Sequence, residues 1–259
     1  MTADVLLMTA AVIGAAVLTL WLLSLLLKDA SIVDIFWGPG FVLVAWTSFL
    51  TAQVAEVRHL VLAMLVTVWG LRLGGYLAWR NFGKGEDSRY QAMRRHWGGR
   101  FWWVSLFTVF VLQGAIMWVV SLPIQVAMAA DGADTFWPAV ALGVVLWAAG
   151  LLFETVGDVQ LARFKADPAN AGQVMDRGLW RYTRHPNYFG DFLVWWGLYL
   201  AALGTIEPWW TFIGPLLMSY LLVRVSGVAM LERTITKRRP GYSEYIRRTS
   251  AFLPRPPSA

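Results

Sequence analysis

Long apolar segments follow one another along almost the whole of this chain. A helix needs about 20 apolar residues to cross the roughly 30 Å hydrocarbon layer of a bilayer, and the apolar segments cover residues 5–27, 36–52, 60–79, 101–122, 136–163, 188–204 and 209–231. The hydrophobic fraction of 58% and the mean hydropathy of +0.53 exceed those of soluble domains. We therefore predict an all-α integral membrane protein, a bundle of seven transmembrane helices that forms a single domain over residues 1–259.

Lysine and arginine are concentrated in alternate loops of this predicted bundle. The loops 81–100 and 164–186 and the tail after residue 231 carry most of them, whereas Arg58 is the one cation in the opposite loops. Positively charged loops stay on the cytosolic side of a membrane, so we predict that the N-terminus lies outside and the C-terminus in the cytosol. The same pattern explains the net charge of +6, and nucleic-acid binding is therefore not expected.

Metal chemistry is not expected either. The chain has no cysteine, and its three histidines, His59, His96 and His185, lie far apart, so the sequence offers no disulfide, no thiol nucleophile and no histidine-rich metal site. It also shows no internal repeat of the kind that transporters carry. We expect a monomer whose partners are membrane lipids and a small lipid-like substrate that enters from the bilayer.

Ionisable side chains inside the apolar segments carry the functional information, because such groups are costly in a membrane and usually serve a ligand. In the cytosolic halves of five predicted spans lie Asp34, Arg72, Glu154, Asp158, Asp191 and Arg224. Their shared depth predicts a polar cavity open to the cytosol. The alternative is that Glu154 and Asp158, which share one helix face, pair with an arginine and only hold the bundle together.

A cytosolic segment leads into the sixth predicted span and concentrates polar chemistry. Lys165, Arg177, Arg181 and Arg184 lie within about twenty residues of one another, and tyrosine, histidine and asparagine side chains are interleaved with them at Tyr182, His185, Asn187 and Tyr188. Arginine and lysine bind phosphate oxygens well, and a helix that begins at a proline directs free backbone N–H groups at an anion. We therefore predict a phosphorylated cofactor, held by membrane helices because no Gly-x-Gly-x-x-Gly motif is present.

The motifs that carry a family resemblance stand in this region and beyond it. They are LWRYTRHPNYFGD at 179–191, Glu232, PGYSEYIRR at 240–248 and FLP at 252–254. Together they resemble the C-terminal region of the steroid 5α-reductase superfamily, and the whole chain resembles an uncharacterised bacterial branch of it, including residues 34–38 and 80–90. The resemblance is strong over about 150–254 and looser before. It implies a bacterial inner-membrane enzyme with its active site facing the cytosol.

The activity that the resemblance implies is reduction of a polarised C=C bond in a lipid-like substrate, such as a steroid-type enone or another unsaturated lipid, by hydride from NADPH. Asp158, Tyr182 and Asn187 match family residues that hold the cofactor, Lys165 stands in place of a family arginine, and Arg72 matches a basic residue of the third span. The cofactor set consists of Arg72, Glu154, Asp158, Lys165, Arg177, Arg181, Tyr182, Arg184, His185, Asn187, Tyr188, Asp191, Glu232 and Tyr245.

The predicted catalytic set is smaller and departs from the family. Steroid reductases place a Gln-Glu pair on the second span and a tyrosine on the third, which together hold the ketone oxygen of the substrate. The nearest equivalents in this sequence are Asp34-Ile35 and Trp69. Charge that develops on a substrate oxygen needs a nearby donor, and we propose Asp34, if it is protonated, and Tyr76, four residues after Arg72, as candidates. The predicted catalytic residues are thus Asp34, Tyr76 and Arg72.

Methyl transfer is the competing interpretation. Membrane isoprenylcysteine and phospholipid methyltransferases, which use S-adenosylmethionine, also carry a His-Pro-x-Tyr element followed by acidic residues. Those enzymes show two adjacent glutamates after the last span, whereas this chain has Glu232-Arg233. The added cation favours a ligand with phosphate over a sulfonium cation, so the reductase is the first prediction and the methyltransferase the alternative.

Overall fold

The computed structural model describes residues 2–52, 56–130, 135–204, 207–225 and 241–257, and all regular structure in these ranges is helical. The helices are α1 (Thr2–Leu27), α2 (Ile32–Thr51), α3 (Val57–Asn81), α4 (Ser88–Trp97), α5 (Phe101–Ser105), α6 (Leu112–Val120), α7 (Leu122–Ala129), α8 (Trp137–Ala166), α9 (Pro186–Ala202), α10 (Ile213–Tyr220) and α11 (Tyr242–Arg248). A π-helical segment (Leu106–Val111) joins α5 to α6, and a second one (Leu221–Val225) follows α10.

The prediction of a helical membrane protein is confirmed. Within the described residues, five helices are long and apolar enough to cross a membrane, namely Thr2–Leu27, Ile32–Thr51, Val57–Asn81, Ser88–Val120 and Trp137–Ala166. The sixth predicted segment forms α9, which has 17 residues. The seventh begins with a short 3-10 helix (Glu207–Phe212) and continues through α10, and its last residues, 226–231, lie outside the described ranges. Seven spans therefore stay a prediction.

Helix α4 occupies a stretch that the sequence analysis treated as a loop. Its N-cap is Asp87, whose side chain accepts a hydrogen bond from the backbone N–H of Arg89. It ends at Gly98, whose φ of +52° is the left-handed conformation that glycine adopts without strain. A 3-10 segment, Gly98–Arg100, then leads directly into α5.

Contacts within the chain group it into two compact units. The first comprises Met1–Val140 and Ala202–Gly214, and the second comprises Ala141–Ala201 and Pro215–Ala259. Whether both fold together as one domain over 1–259 stays a prediction. Each unit is described separately below.

In the first unit, α2 and α3 touch along their backbones. A Cβ atom built on Gly38 would lie 2.2 Å from the carbonyl oxygen of Gly70, so neither position accommodates a larger side chain. The rings of Phe41 and Trp69, which are fully buried, lie 5.6 Å apart beside this contact. Small residues that let helix backbones approach closely are typical of helix packing in membranes.

In the second unit, a repeat of glycines brings α8 and α9 into backbone contact. Gly143, Gly150 and Gly157 lie seven residues apart on α8, and Gly190 and Gly197 lie seven apart on α9. Seven residues are close to two helical turns, so each set lies on one face. A Cβ atom on Gly150 would lie 2.6 Å from the Gly190 carbonyl oxygen, and one on Gly143 would lie 2.6 Å from that of Gly197. The sequence analysis did not single out this repeat.

Glu86 forms hydrogen bonds with the loop before α2 and with helix α4 of the first unit. Its Oε1 accepts hydrogen bonds from the backbone N–H of Ala30 (2.9 Å) and from Arg94 Nη2 (2.8 Å), and its Oε2 accepts one from Arg94 Nε (3.0 Å). Burial acts to raise the pKa of Glu86, but the hydrogen bonds and the charge of Arg94 outweigh burial and hold the pKa below its ordinary value. The ionised carboxylate therefore stabilises the folded state.

We expect Gly150→Ala to lower the melting temperature of the detergent-solubilised protein by several degrees. The added methyl group would meet the backbone of α9, and overpacking of this kind costs about 1–3 kcal/mol. Gly14→Ala on α1 is the matched control, since a Cβ atom there meets no atom within 4 Å and alanine is the better helix former. Equal melting temperatures of the two variants would contradict this account of the α8–α9 contact.

We expect Glu86→Gln to destabilise the protein in a pH-dependent way. Because the folded-state pKa is lowered, the stabilisation is present above the pKa of the unfolded chain and disappears as pH falls through the folded-state pKa. The difference in melting temperature between parent and variant should thus be largest near neutral pH and shrink below about pH 4. Glu244→Gln, at a side chain that is 57% exposed, should show little difference at either pH. A constant difference across pH would contradict the role of the Glu86 charge.

Candidate functional site

Asp34 lies in the first turn of α2 and is held by two side chains of α4. The hydroxyl of Tyr90 donates to Asp34 Oδ1 at 2.7 Å, and Arg89 Nη2 donates to Asp34 Oδ2 at 2.5 Å. The side chain of Asp34 is 16% exposed. Each carboxylate oxygen of Asp34 therefore accepts a hydrogen bond, one from a guanidinium group and one from a phenol. A carboxylate–phenol pair is the result.

This pair belongs to a longer chain of hydrogen bonds. Gln113 Nε2, on α6, donates to the Tyr90 hydroxyl oxygen at 3.2 Å, and Arg89 Nε donates to Asp87 Oδ1 at 2.9 Å. Burial acts to raise the pKa of Asp87, but the side chain and the backbone N–H of Arg89 outweigh it and lower the pKa. The network therefore runs from an ion pair at the loop to an amide on a predicted membrane span.

Tyr90 is a residue that the sequence analysis did not select. Trp69, the nearest sequence equivalent of the family's tyrosine, is fully buried against Phe41. The structure instead brings a phenol to Asp34 from α4. The available signal was the segment 80–90, which the resemblance includes and which ends at Tyr90.

The other two predicted catalytic residues lie on α3, in the same unit. The guanidinium carbon of Arg72 lies 5.5 Å from the centre of the Tyr76 ring, and that of Arg80 lies 5.9 Å from it. Both distances are typical of cation–π contacts. Tyr76 therefore lies beside two positive charges, which would also stabilise negative charge that develops on a ligand.

In the second unit, the glycine contact brings polar side chains of α8 and α9 together. Glu154 and Asp158 on α8 are 3% and 4% exposed. Asn187, in the first turn of α9, donates from Nδ2 to Asp158 Oδ1 at 3.2 Å. Its Oδ1 is buried and accepts no hydrogen bond from any side chain or backbone group in the described part of the chain. Because a buried carbonyl oxygen is normally satisfied, this atom is suited to a donor on a ligand.

The segment before α9 is tied to α8 as well. Trp180 Nε1 donates to the carbonyl of Gly157 at 3.0 Å. The ring of His185, which is buried, stacks on that of Tyr188 with centroids 5.5 Å apart. Asp191 follows Asn187 by one turn on α9. The predicted cofactor residues of this segment thus lie near one end of the α8–α9 pair.

The C-terminal segment packs on residues 180–184 through hydrogen bonds. Arg184, which is 6% exposed, donates from Nη1 to the carbonyls of Ile246 (3.1 Å) and Thr249, and the Tyr245 hydroxyl donates to the carbonyl of Trp180. The side chains of Arg184 and Tyr245 hold the C-terminal segment in place, and a direct contact with a cofactor stays a prediction.

A cleft of about 670 Å³ opens beside this segment. Among the described residues, its lining includes the arginines Arg177, Arg181 and Arg248 and the acidic residue Asp176. Arg248 approaches Asp176 at 3.8 Å and Glu244 at 3.7 Å, distances at which exposed ion pairs are weak. The cleft is therefore cationic and suits phosphate oxygens.

The cleft contains part of the predicted cofactor set. Arg177, Arg181 and Tyr245 line it, whereas Lys165 and Tyr182 do not. Arg248 was not predicted, although it ends the motif PGYSEYIRR on which the resemblance rests. Glu232 lies outside the described residues.

Comparison with known proteins identifies a family. The family model described as a protein of unknown function, DUF1295, matches residues 20–249. This family is related to steroid 5α-reductase-like membrane proteins, although none of the matches names a steroid reductase. No solved structure matches the chain.

Relatives of this chain include two proteins of Schizosaccharomyces pombe and one of Ustilaginoidea virens. The uncharacterised protein C594.04c is 26% identical over 272 residues, which cover 91% of this chain and 76% of that protein. The uncharacterised protein C9.08c is 33% identical over 127 residues, 43% of this chain and 44% of its own length. The Probable O-methyltransferase ustE of U. virens is 40% identical over 70 residues, 27% of this chain and 24% of its own length. Because the family model covers most of its length, the chain belongs to the DUF1295 family.

Proposed function

We propose that the protein is an NADPH-dependent membrane reductase that adds hydride to a polarised C=C bond of a lipid-like substrate. In this proposal the chain spans a bacterial inner membrane seven times, with its N-terminus outside and the cationic cleft facing the cytosol. The observation that carries the proposal is the hydrogen bond between Tyr90 and Asp34, which provides a positioned proton donor of the kind that enone reduction requires.

In this proposal Tyr90, Asp34 and Arg89 of the first unit have different roles in proton donation. When bound, NADPH supplies a hydride to the β-carbon of the conjugated system. The Tyr90 hydroxyl then stabilises or protonates the substrate oxygen on which negative charge develops. Asp34 orients the phenol, and Arg89 balances the Asp34 charge at 2.5 Å, so that a substrate oxygen can replace the carboxylate as acceptor. This assignment moves the donor role from Asp34 to Tyr90.

The second unit fits a phosphorylated cofactor. The guanidinium groups of Arg177, Arg181 and Arg248 line one cleft, and NADPH carries three phosphate groups whereas S-adenosylmethionine carries none and bears a sulfonium cation. The Asn187 amide donates to Asp158 while its oxygen accepts no bond within the described ranges. That oxygen can accept a hydrogen bond from a carboxamide N–H, and NADPH has such a group.

Methyl transfer is the second candidate. It is favoured by the similarity over 70 residues to the Probable O-methyltransferase ustE. The buried carboxylates of Glu154 and Asp158 could balance a sulfonium cation. The alignment covers 24% of that protein, so it supports this candidate less than the cleft supports a phosphorylated ligand.

Ligand binding separates the two candidates. We expect NADPH to raise the melting temperature of the purified protein, since a ligand at 100 times its Kd adds about 2.7 kcal/mol. Arg181→Ala should weaken NADPH binding about 10- to 100-fold, the scale of a lost charged hydrogen bond. Arg95→Ala, on α4 and away from the cleft lining, is the matched control and should bind like the parent. A larger shift with S-adenosylmethionine than with NADPH would exclude the reductase.

Turnover identifies the donor. We expect Tyr90→Phe to lower single-turnover oxidation of NADPH with an α,β-unsaturated carbonyl lipid by roughly 10²-fold or more, because the acid is removed, while NADPH affinity is unchanged. Asp34→Asn should lower it less, since the amide still accepts from Tyr90. Tyr76→Phe removes the phenol that the sequence analysis selected and serves as the comparison. If Tyr76→Phe loses turnover and Tyr90→Phe does not, the donor is Tyr76.

A further inference from the structure

The span between α5 and α6 is not a regular helix. Residues Leu106–Val111 form a π-helical segment, in which each hydrogen bond closes over one more residue than in an α-helix. Such a segment changes the direction in which the following side chains point, and it is frequent at functional sites. Gln113 lies two residues after it.

Gln113 reaches the Tyr90 hydroxyl at 3.2 Å, and the same hydroxyl reaches Asp34 Oδ1 at 2.7 Å. A phenol has a single proton to donate. A charged carboxylate is a stronger acceptor than an amide carbonyl, so the proton is directed to Asp34. The Tyr90 oxygen can then only accept a hydrogen bond from Gln113, which requires the amide nitrogen to face it.

We infer that Gln113 is a positioning residue that directs the Tyr90 proton towards Asp34 and, when substrate is bound, towards the substrate oxygen at that place. The catalytic part of this inference rests on the proposed reductase function, whereas the direction of the proton does not. Gln113 donates to the Tyr90 oxygen on the side away from Asp34. The Tyr90 proton can therefore point only to an acceptor on the Asp34 side.

A purely structural role for Gln113 would have different consequences. The Gln113 amide would then only provide a hydrogen-bond partner for the buried Tyr90 hydroxyl. A glutamate of the same size could replace it, because the hydroxyl would donate to the carboxylate. Under the positioning role, Gln113→Glu is harmful although its size is unchanged, because a carboxylate competes with Asp34 for the Tyr90 proton. Gln113→Leu removes the donor, so that no group holds the phenol oxygen on the side away from Asp34 and the hydroxyl is free to turn.

The test has two readouts, the hydrogen bonding of the Tyr90 hydroxyl and the rate of enone reduction. In protein labelled with ¹³C at tyrosine Cζ, the Tyr90 resonance is assigned by its loss in Tyr90→Phe, and its chemical shift reports hydrogen bonding at the hydroxyl. We expect both Gln113→Leu and Gln113→Glu to move this resonance. Thr108→Val, in the π-helical segment, removes a hydroxyl bonded to its own helix at Val104, and it should leave the resonance in place.

In the same proteins, we expect both Gln113 variants to lower kcat for enone reduction roughly tenfold with little change in KM, less than the 10²-fold or greater loss from removal of the acid itself. Thr108→Val should keep the parent kcat. A Tyr90 resonance that Gln113→Leu leaves unmoved overturns the inference, as does a moved resonance with unchanged kcat. If Gln113→Leu does not fold, the isosteric Gln113→Glu decides by the same two readouts. A parent protein that reduces no enone refutes the proposed function, and the resonance still decides whether Gln113 is hydrogen-bonded to the Tyr90 hydroxyl.

Discussion

Backbone contact between α8 and α9 is the constraint on which the second unit depends. Lipid is as apolar as leucine, so apolar side chains gain little by packing in a membrane, and close approach of small residues supplies much of the attraction between helices. Gly150 and Gly190 allow that approach. As a consequence Asn187 comes within 3.2 Å of Asp158, a distance that bulky residues in the glycine positions would not permit. The polar site follows from the packing.

In each unit, polar groups are buried among packed helices, so their hydrogen-bond partners must come from neighbouring side chains or backbone groups. In the first unit Asp34 has Arg89 and Tyr90 as partners, and Glu86 has Arg94 and a backbone N–H. Networks of this kind hold a donor in one geometry, and fixed geometry is what proton transfer needs. The Tyr90 hydroxyl is thus held in place by Asp34 and Gln113.

Sequence reasoning predicted the parts of this protein that depend on local composition. Bilayer thickness requires long apolar runs, so the helical membrane protein could be predicted from run length, and the Asp158–Asn187 pair belonged to the predicted cofactor set. Tyr90 could not be found in this way, because it meets Asp34 from 56 residues further along the chain and no periodicity reports such a contact. The arginines of α4 were interpreted as the positive charges of a cytosolic loop, so a helix was not predicted there. Gln113 depends on a π-helical segment that the hydrophobic pattern does not reveal.

The two units differ in how they treat charge, and this difference bears on the ligand. Asp34 and Glu86 of the first unit have close ion-pair partners, at 2.5 and 2.8 Å, whereas Arg248 in the cleft of the second unit meets its carboxylates only at 3.7 and 3.8 Å. An anionic ligand can displace such weak pairs at little cost, and the excess of guanidinium groups over carboxylates in the cleft lining attracts it over a distance of about a Debye length. Binding of a polyanion in the cleft of the second unit therefore has to displace only these weak, exposed ion pairs.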